Sequence, residues 1–107
     1  MSLPTLIAWF FGGMLVINAV PHLVSGLCGR AFQSPFATPP GEGLSSATVN
    51  VVWGFANLVA GYLLLIRVGA FDPRSLVDIS APAAGGLVIA LFLARHFGRF
   101  HGGNTPQ

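Results

Sequence analysis

Charge is what this sequence most lacks. Charged residues make up 7% of its 107 positions, lysine is absent, and five arginines face only three acids. An ordinary soluble domain carries roughly 25% charged residues, so this chain has no adequate polar coat for water. No basic run is present that would track a phosphate backbone, so the formal charge of +2 implies no nucleic-acid partner. A single cysteine, Cys28, excludes an internal disulfide and leaves the redox compartment unread. All three carboxylates, Glu42, Asp72 and Asp78, fall in loops or at a loop edge. That placement argues against a metal centre or a paired-carboxylate catalyst inside the apolar runs.

What is present is apolar. Hydrophobic residues make up 53% of the chain and its mean hydropathy is +0.74. Thr5 to Gly29 is free of charge, and so is everything between Glu42 and Arg67. At about 1.5 Å per residue each run reaches across a hydrocarbon core of about 30 Å. The first run lacks a basic lead and a small-x-small cleavage site, so it reads as a membrane helix rather than a signal peptide. Ile79 to Ala94 is shorter, which predicts a helix that starts before Asp78 or an Arg95 that reaches back to the headgroups. The expected architecture is all-α and integral to the membrane: one three-span domain over residues 1–107. Its spans cover about 5–28, 44–68 and 77–98, its loops 29–43 and 69–76, and its polar tail 99–107. Pro21 removes a backbone donor and predicts a kink in helix 1.

Small and polar residues mark the expected packing faces. Asn50, Trp53, Gly54, Asn57 and Gly61 share one helical face, which predicts that the second span is central with the other two packed upon it. Pro82, Gly86, Ala90, Ala94 and Gly98 recur every fourth residue, a small-residue row of the kind that lets helices approach closely in lipid. Phe92 and Phe97 lie off that row and are expected to face lipid. Ser45 or Ser46 is the expected N-cap of the second helix, and Asp72-Pro73 the start of a turn or helix before the third span. Phe32 and Phe36 suit a headgroup zone, or a loop folded back over the mouth of the bundle.

A three-span topology brings Asn18, His22, Asn50, Trp53 and Asn57 to neighbouring depths, with His96 and Arg95 closing the same end. These five are the candidate intramembrane polar cluster. His22 is the sharpest of them, because an ionisable group at depth points to function, although a packing role accounts for it as well. The asparagines fit interhelical hydrogen bonding, and Trp53 is expected to find its partner in a neighbouring Asn. No catalytic, metal or cofactor residues are assigned. His22 and His96 differ in expected depth by about four residues, or roughly 6 Å, which is awkward for one haem.

The pattern resembles the small multi-span proteins of bacterial inner membranes, although three spans fall short of the four usual in DoxX-like proteins. The expected function is that of a small multi-pass membrane protein without catalytic activity, a homo-oligomer or a subunit of a membrane complex in contact with lipid. The alternative is a small transporter, or a ligand- or cofactor-binding protein using the cluster around His22. Arg30, Arg95 and Arg99 on one side, against Arg67 and Arg74 on the other, place the N-terminus outside and the C-terminus in the cytoplasm.

Overall fold

The structure is a computed structural model and describes residues 2–104, so the end of the expected tail, 105–107, lies outside it. The described chain is helical: α1 spans Leu3–Leu27, α2 Ala47–Ile66 and α3 Leu76–His101. All three are long and apolar enough to cross a membrane. Between α1 and α2, β1 (Phe32–Gln33) pairs antiparallel with β2 (Leu44–Ser45), Phe32 opposite Ser45 and Gln33 opposite Leu44.

Each helix starts on a serine. The Ser2, Ser46 and Ser75 side chains accept from the backbone N–H groups of Thr5, Val49 and Asp78, satisfying donors that a helix start leaves orphaned. These caps also set boundaries that the apolar pattern alone misplaces. Leu44 and Ser45 belong to the ribbon, not to the second span. Asp72-Pro73 opens the expected turn before α3: the Asp72 carboxylate accepts from the Arg74 N–H and the Asp72 N–H donates to Asp78, while Ser75 caps the helix itself. At the far end α3 runs through Arg99 to His101 and stops at Gly102, whose φ of 71° is the left-handed conformation that ends a helix without a Cβ clash.

The central helix is α1, not α2. Both α2 and α3 pack along α1, and they scarcely touch each other. The stripe on α2 therefore serves one neighbour only. A Cβ on Gly61 would lie 2.7 Å from the Gly12 carbonyl oxygen, and one on Gly12 would lie 3.0 Å from that of Gly61. At the other end, a Cβ on Gly26 would lie 2.7 Å from the Ala47 carbonyl oxygen. Backbone thus meets backbone over most of the α1–α2 seam, the geometry by which small residues let helices associate in lipid.

The α1–α3 seam is equally close but shifted from its expected row. Gly13 lies against the backbone of Pro82, and Gly85 lies against the Phe10 carbonyl with no room for a Cβ. Gly85 is not on the Pro82-to-Gly98 row, while Ala94 of that row is exposed. A strict every-fourth-residue row rotates by about 40° per step around a 3.6-residue helix, so five members cannot stay on one face.

Burial is inverted relative to a water-soluble fold. Among the described residues the buried hydrophobic side chains are Trp9, Ala19 and Ala37, whereas the buried polar ones are His22, Ser25, Gln33, Ser34, Asn50 and Asn57. Large apolar side chains such as Phe11, Val52, Phe55, Leu87 and Leu91 point outward. At the end away from the ribbon, the Trp9 indole N–H donates to the Val68 carbonyl at 2.8 Å and the ring meets Phe71 edge-on, closing that mouth.

Gly85→Ala is expected to destabilise the α1–α3 seam by about 1–3 kcal/mol, the usual range for overpacking. Ala94→Leu should change stability by less than about 0.5 kcal/mol. Thermal unfolding in one detergent tests both, and equal effects would show that the seam is misplaced.

Candidate functional site

The mouth at the ribbon end is covered. Gly29, at φ +73°, turns the chain out of α1, and the segment to Gly43 folds back on itself. The Ser34 carbonyl accepts from the Ala37 and Gly41 N–H groups, and the Pro39 carbonyl from those of Glu42 and Gly43. The Ser34 hydroxyl bonds the Ser45 hydroxyl at 2.6 Å and accepts from the Phe36 N–H. Gly41 turns the chain again at φ +75°. The segment is therefore a built lid, with its own Gln33 and Ser34 buried, rather than a slack linker.

Three histidines fasten the lid to the helices. His22 of α1 acts through Asn50, the first polar residue of the α2 stripe. The Asn50 Nδ2 group donates to the carbonyls of Phe32 (3.1 Å), Ser45 (3.2 Å) and Ser46 (3.0 Å). Three carbonyl oxygens around one end of an amide leave only one orientation, because the flipped amide would set its own oxygen against all three. The Asn50 Oδ1 atom must then face His22, 2.7 Å from its Nδ1. Since Oδ1 only accepts, His22 Nδ1–H donates, and the lone pair of the neutral ring lies on Nε2. On α3, His96 Nε2–H donates to the Gly41 carbonyl at 2.7 Å, and its Nδ1 accepts from Arg99 at 3.2 Å. His101 bonds Gln33 Oε1 at 3.1 Å and stacks on Phe32 at 5.4 Å.

The same logic fixes the second polar pair. Asn57 Nδ2 donates to the Trp53 carbonyl at 2.9 Å, which leaves Asn57 Oδ1 to accept from Asn18 Nδ2 at 3.0 Å. Backbone carbonyls of α2 and the ribbon thus orient both polar side chains of α1. Each turns a donor toward α2, and each keeps one acceptor spare: Asn18 Oδ1 and His22 Nε2 have no hydrogen-bond partner among the described residues.

Asn18 and His22 floor a cavity of about 310 Å³. Ser34, Pro35, Pro40 and Gly41 of the lid roof it, Trp53 walls it from α2, and Phe92, Leu93, His96 and Phe97 wall it from α3. Because α2 and α3 scarcely touch, the side between them is open. The Trp53 indole N–H is buried with no partner among the described residues, contrary to the expectation that a neighbouring Asn would accept from it. Asn57 reaches the Trp53 carbonyl instead. Two uncommitted, uncharged acceptors thus belong to residues that line the cavity, and Trp53, which also lines it, has a covered indole N–H without a partner among the described residues.

Of the candidate residues, Asn18, His22 and Trp53 line the cavity, while Asn50 and Asn57 lie behind it and set the orientation of the first two. His96 joins the wall. Arg95 does not; with Gly98 and Arg99 it lines a neighbouring groove on α3 that shares Phe92 and His96 with the cavity. Phe97 corrects the expectation that it faces lipid: it packs edge-on against His22, at 6.1 Å, and against Phe32, at 4.7 Å. Phe32 and Phe36 carried the one sequence signal for the lid, two large rings in an otherwise turn-forming segment. Nothing in the pattern marked Ser34 or Gln33. Among the described residues no group of three or more His, Cys, Asp or Glu is placed to hold a metal ion. Both ring nitrogens of His96 are engaged, so it is not free to join His22 as a second axial ligand.

Asn50→Leu should release the lid, because it strands His22 Nδ1–H and several carbonyls. At about 1–3 kcal/mol per buried unpaired group the expected loss is about 3 kcal/mol or more, read as thermal unfolding in one detergent. Asn57→Leu strands fewer groups and should cost less. Nitrogen NMR should find opposite neutral tautomers, with the proton on Nδ1 in His22 and on Nε2 in His96. The same tautomer at both would contradict the hydrogen-bond directions given above. No known family model matches this chain, and no curated protein or solved structure is detectably similar to it, so its chemistry rests on these side chains alone.

Proposed function

We propose that this chain is a multi-pass protein of a bacterial-type inner membrane that works as a small, non-catalytic binding protein, holding a ligand in the cavity beneath its lid. The observation that carries this reading is the set of free valences in the cavity. A fold that orients Asn18 and His22 so thoroughly, yet leaves their acceptors and the Trp53 donor unpaired, is suited to receive a partner for them. No nucleophile with an adjacent base and no paired carboxylate accompanies them, which favours binding over catalysis.

Insertion in the membrane is supported by the inverted burial and by three apolar helices of sufficient length. In lipid, Pro21 bends α1 where its missing N–H frees a carbonyl. Arg30, Arg95 and Arg99 put the lid and the C-terminal end on the cytoplasmic side, with the N-terminus outside. Arg95 and Arg99 in the neighbouring groove on α3 suit an anionic lipid headgroup.

A second reading has its own observation. Since α2 and α3 do not close on each other, the flank between them fits one more helix, from a second copy or from a larger membrane complex. Native mass spectrometry of protein extracted from its own membranes in mild detergent separates the two. The binding reading expects a mass excess of one small molecule per chain, absent from His22→Phe. A bare chain that always carries a second polypeptide would replace that reading with the subunit one.

A further inference from the structure

The cavity has a chemistry specific enough to name the class of its occupant. From the polar atoms and walls described above, we propose that it takes the hydroxylated aromatic headgroup of an uncharged membrane amphiphile, with the hydroxyl donating to His22 Nε2. This rests on the binding reading of the same cavity and deepens it.

Charge is the first filter. No charged residue lines the cavity, and the two spare acceptors would repel an anion. A cation would find no carboxylate among the lining residues to compensate it. An uncharged occupant remains. Hydrogen bonding is the second filter. His22 Nε2 and Asn18 Oδ1 call for a donor, and Trp53 Nε1–H calls for an acceptor. One hydroxyl supplies both: its hydrogen goes to His22 and its oxygen accepts from Trp53. A second hydroxyl on the same ring would reach Asn18.

Shape is the third filter. Trp53, Phe92 and Phe97 are aromatic walls, and a volume of about 310 Å³ holds a single ring better than a bulky polar head. The way in is the last. The lid closes the cavity from the water side through the Ser34, Gly41 and Gln33 bonds, while the α2–α3 side is open. An alkyl tail leaves through that opening, so the occupant arrives from the bilayer with its ring leading. A small water-soluble phenol has the same ring chemistry and differs only in route.

The test uses the full chain in nanodiscs and three probes, 4-octylphenol, 4-octylanisole and phenol, each corrected for partition into empty nanodiscs. 4-Octylphenol is expected to bind about tenfold tighter than the anisole, whose ether has no proton to donate, the difference that one hydrogen bond makes. Trp53→Phe removes an N–H that bonds nothing in the chain, so it should leave thermal stability unchanged or raised while weakening 4-octylphenol several-fold. A merely structural Trp53 would not produce that split. His22→Phe, which keeps the ring packing, should abolish the preference for phenol over anisole. Phenol binding as tightly as 4-octylphenol would support the headgroup chemistry and assign it to a soluble source. Equal affinity for 4-octylphenol and 4-octylanisole, or indifference of both to Trp53→Phe and His22→Phe, overturns the proposal. If the extracted protein still carries a small molecule that His22→Phe loses, only the ligand class has failed. If it carries none, the binding reading has failed with it.

Discussion

The structure depends on where one amide can place its two ends. Asn50 is fully buried, and its Nδ2 group gathers the carbonyls of Phe32, Ser45 and Ser46, which come from the lid and from the start of α2. With that end committed, the other end has a single role, to accept from His22. One side chain thereby joins α1, α2 and the lid, and it also decides which nitrogen of the histidine carries the proton. Hydrophobic contact could not do this. It has no direction, and in lipid it supplies little force between helices.

The remaining contacts follow a division of labour that suits lipid as solvent. Glycines bring backbones together along both seams of α1, and directional polar bonds fix register, most of them toward the ribbon end. Each such bond contributes modestly, about 0.6 kcal/mol on average in a membrane, so the close glycine seams bear most of the stability and the polar atoms bear the specificity. The two mouths show the contrast. At one, Trp9 spends its N–H on the Val68 carbonyl and the end is sealed. At the other, the Trp53 N–H is buried without a partner among the described residues. Two tryptophans, each near a helix turn and a loop, end in opposite states because only one has a carbonyl in reach.

Much of this was legible in the sequence, and the misses have physical causes. The three apolar helices could be read from the scarcity of charge. The meeting of His22 with Asn50 followed from residue counts along two antiparallel helices, since depth is fixed by rise per residue. What composition does not carry is which helix lies in the middle. The α2 stripe reports one packed face but not how many neighbours share it, and in α1 the recurrence of Asn18, His22 and Gly26 with the Gly12–Gly13 pair does not by itself say that Gly12 meets one helix and Gly13 another. Gly85 was hidden by a row with the wrong period. The lid was the least legible part, because the bonds of Ser34 and the Gln33–His101 pair depend on a fold of the chain that no periodicity records. Phe32 and Phe36 were its only trace.

An unpaired indole N–H in a folded interior costs about 1–3 kcal/mol, which is a large share of the 5–15 kcal/mol typical of a domain's stability. Here Trp53 lines a cavity, although its N–H is itself covered. The loss is not relieved from within, since the nearest asparagines are held in the opposite sense by backbone carbonyls. Relief from water is limited by the lid, whose bonds close that side. The open side faces α2 and α3, where the surroundings are apolar. On the proposed reading, such a donor is met by an oxygen that arrives from the bilayer. On that reading selectivity lies in the hydroxyl, because an occupant without one leaves all three atoms as they were.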